Sequence, residues 1–146
     1  MDGPSPGDVR PPSVLLVEDD SNDQMLLRRA LARVAPRITL SVITDGHAAI
    51  RYLSEFTQST PPDYLQKPFL VLLDVHLPRK SGWEVLRWIR GQVCLAAVPV
   101  ALWTSLPNPE GIAKAREGGA ERYFSKPQDL AGYLEIAAFI SQHLGD

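Results

Sequence analysis

The chain has 146 residues, 45% hydrophobic and 22% charged, which is the composition of one globular domain and excludes a disordered or fibrous chain as a global description. With 15 Lys and Arg against 17 Asp and Glu, the formal charge of -2 is too small and of the wrong sign to hold a polyphosphate backbone by counterion release, so no direct nucleic-acid partner is expected. The single cysteine, Cys94, excludes an internal disulfide and a thiolate metal site, suits a reducing cytoplasm, and is expected to be a small buried hydrophobe.

Residues 1–12 hold Pro4, Pro6, Pro11 and Pro12 with two aspartates and no apolar block. They are expected to form a disordered tail, neither signal peptide nor anchor, ahead of one domain over 13–146. No later segment approaches the roughly 18 apolar residues of a membrane span, since the best run, 96–103, is broken by Pro99.

Apolar runs at 14–17, 69–73 and 98–103 are too continuous for half-exposed strands and suit strands covered on both faces. Between them the apolar spacing turns helical. Over 23–34, Leu27, Ala30, Leu31 and Val34 recur at three and four, with Ser21 or Asn22 placed to cap and Pro36 to stop the helix. A strand over 38–43 follows, and Thr44-Asp-Gly opens a helix striped by Ala49, Ile50 and Leu53 that fades near Phe56. The proline-rich stretch 57–68 is expected to be an irregular loop, longer than typical connections. A helix over 82–92 turns Val85, Leu86 and Ile89 inward, and a short helix over 109–117 ends at Gly118-Gly119. A fifth strand contains Tyr123-Phe124, and a last helix over 127–143 carries Pro127 in its first turn, with Leu130, Leu134, Ala137 and Ile140 facing the core. Five strand–helix pairs imply an α/β fold: a doubly wound five-stranded parallel sheet flanked by five helices, with ligands bound beyond the carboxyl ends of the strands.

The strand ends carry the chemistry. The first ends in Glu18-Asp19-Asp20, the third in Asp74, the fourth in Thr104-Ser105, and the fifth runs into Lys126-Pro127. In a parallel sheet these termini share one edge, so carboxylates, a hydroxyl and an ammonium converge. Crowded carboxylates repel, and a hard divalent cation relieves them; Mg²⁺, held by one or two carboxylates plus waters and phosphate oxygens, fits best. Asp74, alone after an apolar strand, is a candidate nucleophile toward phosphorus, with Lys126 and Thr104 placed to meet phosphoryl oxygens.

At these residues the sequence resembles the receiver domain of two-component response regulators. The matching segments are Val-Leu-Leu-Val-Glu-Asp-Asp (14–20), Leu-Leu-Asp-Val-His-Leu-Pro (72–78) followed by Gly82, Val-Ala-Leu-Trp-Thr-Ser (100–105) and Tyr-Phe-Ser-Lys-Pro (123–127). The resemblance implies a flavodoxin-like domain that takes a phosphoryl group from a sensor histidine kinase onto Asp74, a signalling phosphoacceptor in the cytoplasm and not a metabolic enzyme. It implies that Asp19 and Asp74 bind Mg²⁺ directly, that Glu18 assists through water, and that the His76 backbone carbonyl supplies a further ligand. Thr104 and Lys126 would be the switch hydroxyl and lysine, and Tyr123 the switch aromatic. The exposed flank of the first helix, Met25, Leu26 and Arg29, is the expected kinase-docking surface. Because the chain stops at Asp146, the signal is expected to leave through a downstream protein or a further phosphotransfer partner, and homodimerisation near the fourth and fifth strands is within the family's habits.

His76 and Leu106 depart from the commonest receiver pattern, as does the long 57–68 loop. That loop, with Leu-Pro-Arg-Lys-Ser-Gly (77–82) and Trp-Thr-Ser (103–105), resembles the stand-alone regulators paired with bacterial phytochrome kinases. Three rival readings remain. A haloacid-dehalogenase-like phosphatase shares the residue types, but there the nucleophile follows the first strand. A nucleotide-binding domain would need a Gly-rich phosphate loop after the first strand. A pseudo-receiver would fold without being phosphorylated, yet no acidic residue, nucleophile or lysine is missing.

Overall fold

A computed structural model describes residues 10–61 and 66–144; the expected tail up to residue 9, residues 62–65 of the expected loop, and residues 145–146 lie outside the described residues. Strands and helices alternate along the chain as β1 (Ser13–Val17), α1 (Ser21–Val34), β2 (Thr39–Ile43), α2 (Gly46–Ser54), β3 (Leu70–Asp74), α3 (Gly82–Arg90), β4 (Val100–Thr104), α4 (Pro109–Glu117), β5 (Arg122–Ser125) and α5 (Leu130–Gln142). All strand pairs are parallel and the order is β2-β1-β3-β4-β5, the doubly wound sheet that the alternating pattern predicts.

The three continuous apolar runs are the central strands, and their side chains alternate between two cores. Val14, Leu16, Leu70, Leu72, Ala101 and Trp103 pack toward α1 and α5. Leu15, Val17, Val71, Leu73, Val100 and Leu102 pack toward α2, α3 and α4. Both faces are thus dry, which is why these strands show no polar alternation. The edge strands β2 and β5 are partly exposed and correspondingly more polar. Among the described residues, no helix is long and apolar enough to cross a membrane.

Each helix begins at a side chain that accepts a hydrogen bond from the backbone amide three residues on: Asp20, Asp45, Ser81, Asn108 and Asp129 in turn. The cap of α1 is therefore Asp20 and not Ser21 or Asn22; its Oδ1 lies 2.9 Å from the Asp23 amide, so the helix starts at Ser21, about half a turn earlier than the apolar spacing suggests. Likewise Asp129 starts α5, leaving Pro127 outside the helix. Inward positions also shift at element ends. Val34 and Leu130 are exposed at the tips of α1 and α5, and Ala35 and Tyr133 fill the core places beside them. Cys94 is exposed rather than buried: it sits on a single 3-10 turn, Val93–Leu95, from which only Leu95 reaches the core.

The loop between β3 and α3 places the site tightly. Gly82 opens α3 so close to the end of β3 that a Cβ there would run into the Asp74 carbonyl oxygen and crowd the Val75 Cα. Only glycine admits this approach of two backbones. Gly82→Ala is expected to destabilise the domain by about 1–3 kcal/mol despite the better helix propensity of alanine, because strand and helix must separate to fit the methyl group; equilibrium urea unfolding measures it, and a neutral or stabilising result would contradict this packing.

Candidate functional site

Strand parity decides which side chains meet at the carboxyl edge. Glu18 continues the face of Leu16, Asp74 that of Leu72, and Lys126 that of Phe124, and these three apolar residues belong to the α1/α5 core. All three polar groups therefore emerge at the same end of the same face, beside the first turn of α1. Lys126 is drawn in by its own backbone, whose amide donates to the Thr104 carbonyl oxygen at 2.8 Å.

Four residues expected at the site are brought together. Carboxylate oxygens of Glu18, Asp19 and Asp74 lie within 4.8 Å of one another. Lys126 Nζ is 2.9 Å from Glu18 Oε1 and 3.0 Å from Asp74 Oδ2. Glu18 is fully buried and Asp74 is 5% exposed, whereas Asp19 faces solvent. Glu18 Oε2 accepts a hydrogen bond from the Asp20 amide at 3.0 Å. Its Oε1, although close to the ammonium, has no hydrogen bond of proper geometry among the described residues. Asp74 Oδ1 accepts from the His76 amide at 3.0 Å, and the His76 imidazole itself is exposed.

A third carboxylate on the lysine escapes a reading of strand ends. Asp23, in the first turn of α1, accepts from Lys126 Nζ at 2.8 Å through Oδ2 and from the Tyr133 hydroxyl at 3.2 Å through Oδ1. An acid in a first helical turn ordinarily complements the helix dipole, which conceals a second role. The available signal was its position one turn beyond Asp19.

Thr104 and Tyr123 lie apart from this cluster. Thr104 is fully buried at the edge, and its Oγ1 accepts from the Leu106 amide at 3.1 Å while the Leu106 side chain is exposed. Tyr123 pairs in register with Leu102, so it lies on the α2–α4 face that Thr104 also continues. Its ring stacks on Trp83 with centroids 6.2 Å apart and planes at 17°. On the expected docking flank Met25 and Arg29 are exposed and Leu26 is half-buried against the core.

The charges shift one another's protonation. Burial, reinforced by the neighbouring Asp74, raises Glu18 to about 7 against the opposing pull of Lys126 and the Asp20 amide. Because the folded value lies above the ordinary 4.5, the Glu18 proton favours the folded state fully below pH 4.5, and that contribution is lost as pH rises through about 7. Burial works to lower Lys126, but its close contacts with the Asp23, Glu18 and Asp74 carboxylates outweigh it and hold the ammonium above its usual range. Burial and then the charge of Asp23 push the Tyr133 hydroxyl up to about 12.

Three carboxylates, those of Glu18, Asp23 and Asp74, thus contact a single ammonium, and a fourth, Asp19, adds its charge beside Glu18 and Asp74. An oxygen-only donor set with an orphaned buried carboxylate oxygen fits a hard divalent cation, and nothing in it favours zinc.

Residues 14–137 match the family described as the response regulator receiver domain. Response regulator Rcp1 of Synechocystis sp. is 32% identical over 126 residues, covering 86% of this chain and 84% of Rcp1. The crystal structure of Mn(2+)-bound Rcp1 superposes with a TM-score of 0.76 at 30% identity, covering 90% of this chain and 93% of that one. The phosphorylated cyanobacterial phytochrome response regulator RcpA gives 0.74 at 27% identity, over 90% and 91% of the two chains. The family match and these relatives each cover most of the chain, and the chain belongs to the response regulator receiver domain family.

Proposed function

We propose that this chain is a phosphoacceptor that takes a phosphoryl group from a sensor histidine kinase onto Asp74 and passes the change to a protein partner. The observation that carries the reading is the Asp74 carboxylate itself, nearly buried at the sheet edge between an acidic cluster and an ammonium 3.0 Å away. In the transfer, the phosphorus–nitrogen bond of the phosphohistidine breaks, its electron pair returns to the imidazole, and a bond forms from an Asp74 oxygen to phosphorus. Asp19 and Asp74, with the His76 backbone carbonyl and Glu18 through water, would hold Mg²⁺, which supplies charge neutralisation between carboxylates and phosphoryl oxygens.

The chain's own groups do the rest. Lys126 exchanges a carboxylate partner for a phosphoryl oxygen. Thr104 Oγ1 already accepts from Leu106, so its hydroxyl hydrogen is left to donate to a second phosphoryl oxygen. A shift of Thr104 toward phosphate opens space on the face it shares with Tyr123, and the Tyr123–Trp83 stack is the element whose two arrangements report the change. Receiver domains are signalling modules, and the likeness to phytochrome regulators supports a phytochrome-type kinase as the donor.

Incubation with Mg²⁺ and acetyl phosphate is expected to add one phosphoryl group, seen by intact mass and absent in Asp74→Asn; an adduct surviving in that variant would remove the assignment. Chelation of the metal, or Asp19→Asn, is expected to slow the same reaction at least tenfold, the order of a lost charge-neutralising contact. On α1, a Met25→Ala, Leu26→Ala, Arg29→Ala triple variant should slow transfer from the phosphorylated kinase and leave the acetyl phosphate rate near that of the parent. Equal slowing of the two would speak against docking there.

A further inference from the structure

The Lys126 ammonium has three hydrogens and three carboxylates around it: it donates to Asp23 at 2.8 Å and to Asp74 at 3.0 Å, and Glu18 is paired with its charge at 2.9 Å. The three partners are not equivalent. Glu18 and Asp74 belong to the group whose oxygens lie within 4.8 Å of one another, together with Asp19, whereas Asp23 does not. A cation seated among Glu18, Asp19 and Asp74 therefore draws two of the lysine's partners to itself and leaves Asp23 untouched. Asp23 is also fixed independently of the lysine. Its backbone amide is bonded to the Asp20 cap at 2.9 Å, and its Oδ1 accepts from Tyr133 at 3.2 Å. The Tyr133 ring is itself 3% exposed and set edge-on to Trp103, with centroids 6.2 Å apart and planes at 89°. The tether thus runs from α5 through Tyr133 to α1, and from there to the lysine beyond β5.

We propose that Asp23, held by Tyr133, is a positioning residue for Lys126: it keeps one ammonium hydrogen when metal and phosphoryl oxygens claim the other partners, so that the charge stays over Asp74 instead of swinging into solvent. The inference rests on Asp74 being the phosphoacceptor. Without this anchor the lysine has a long flexible stem, and ordering it at the moment of transfer costs conformational entropy. Because Asp23 lies outside the acidic strand-end cluster, its contribution is to geometry and not to holding the cation.

Two measurements on the full chain test this. In ¹⁵N-labelled protein with saturating Mg²⁺, the Lys126 side-chain NH₃⁺ signal is expected to be protected from exchange in the parent, retained in Asp23→Asn, which still offers an acceptor oxygen, weakened in Tyr133→Phe and lost in Asp23→Ala. In parallel, Asp23→Ala is expected to slow phosphorylation by acetyl phosphate about tenfold, the size of one charge-assisted hydrogen bond, when Lys126 is present. In a Lys126→Met background it should cause no further slowing. A protected ammonium signal in Asp23→Ala, or equal slowing in both backgrounds, would overturn the proposal. If instead Asp74→Asn still takes up the phosphoryl group, the acceptor assignment fails while the ammonium result stands on its own.

Discussion

The structure turns on how a parallel sheet disposes of negative charge at its carboxyl edge. Glu18 and Asp74 lie at the ends of neighbouring central strands, so main-chain pairing of β1 with β3 forces their carboxylates together whatever their repulsion. Two buried carboxylates that close cannot both be ionised without compensation. Lys126 provides part of it from beyond the end of β5, two strands from β3, and burial, by raising Glu18 to about 7, lowers the cost further. What remains uncompensated is an affinity for a hard cation. A buried ion network that lacks a full set of partners is expected to add little to stability, and this one fits a hard cation.

The same alternation that makes the site also divides the molecule. Side chains of one parity join Glu18, Asp74 and Lys126 on the side of α1 and α5; those of the other parity join Thr104 and Tyr123 on the side of α2, α3 and α4. β4 and β5 carry both sets and so link the acidic cluster to the opposite face through rigid backbone. There Tyr123 lies between Trp83 of α3 and the opening turn of α4, where a Cβ at Gly111 would collide with its hydroxyl, and Lys114 caps the Trp83 ring at 4.5 Å. The half-buried Tyr123 ring thus packs against both α3 and α4, which is what supports the switch role proposed for it.

Much of the architecture was legible because the central strands are buried on both faces and the helices on one. Continuous apolar runs at 14–17, 69–73 and 98–103 and the three-and-four spacing between them report those two environments directly. The carboxyl-edge grouping of Glu18, Asp19, Asp74 and Lys126 followed from topology alone. Errors gathered where helical spacing outlasts the sheet beneath it. Val34 and Leu130 continue an apolar stripe past the edge of the core, and Cys94 lies on a turn that turns only one of its three residues inward. Periodicity describes a face of an element but not where the neighbouring layer stops.

The sequence by itself determined the parallel α/β sheet and the set of strand-end residues that must share its edge, because hydrophobic period, strand length and chain order act locally and each strand end follows from its own run. Only the tertiary structure decided which residues complete that set. Asp23 meets Lys126 across 103 positions and Tyr133 across 110, contacts set by how α1 and α5 lie side by side on one face of the sheet. No local pattern encodes that distance: the carboxylate on α1 and the hydroxyl on α5 each read as an ordinary helix residue until packing brings them to the same ammonium.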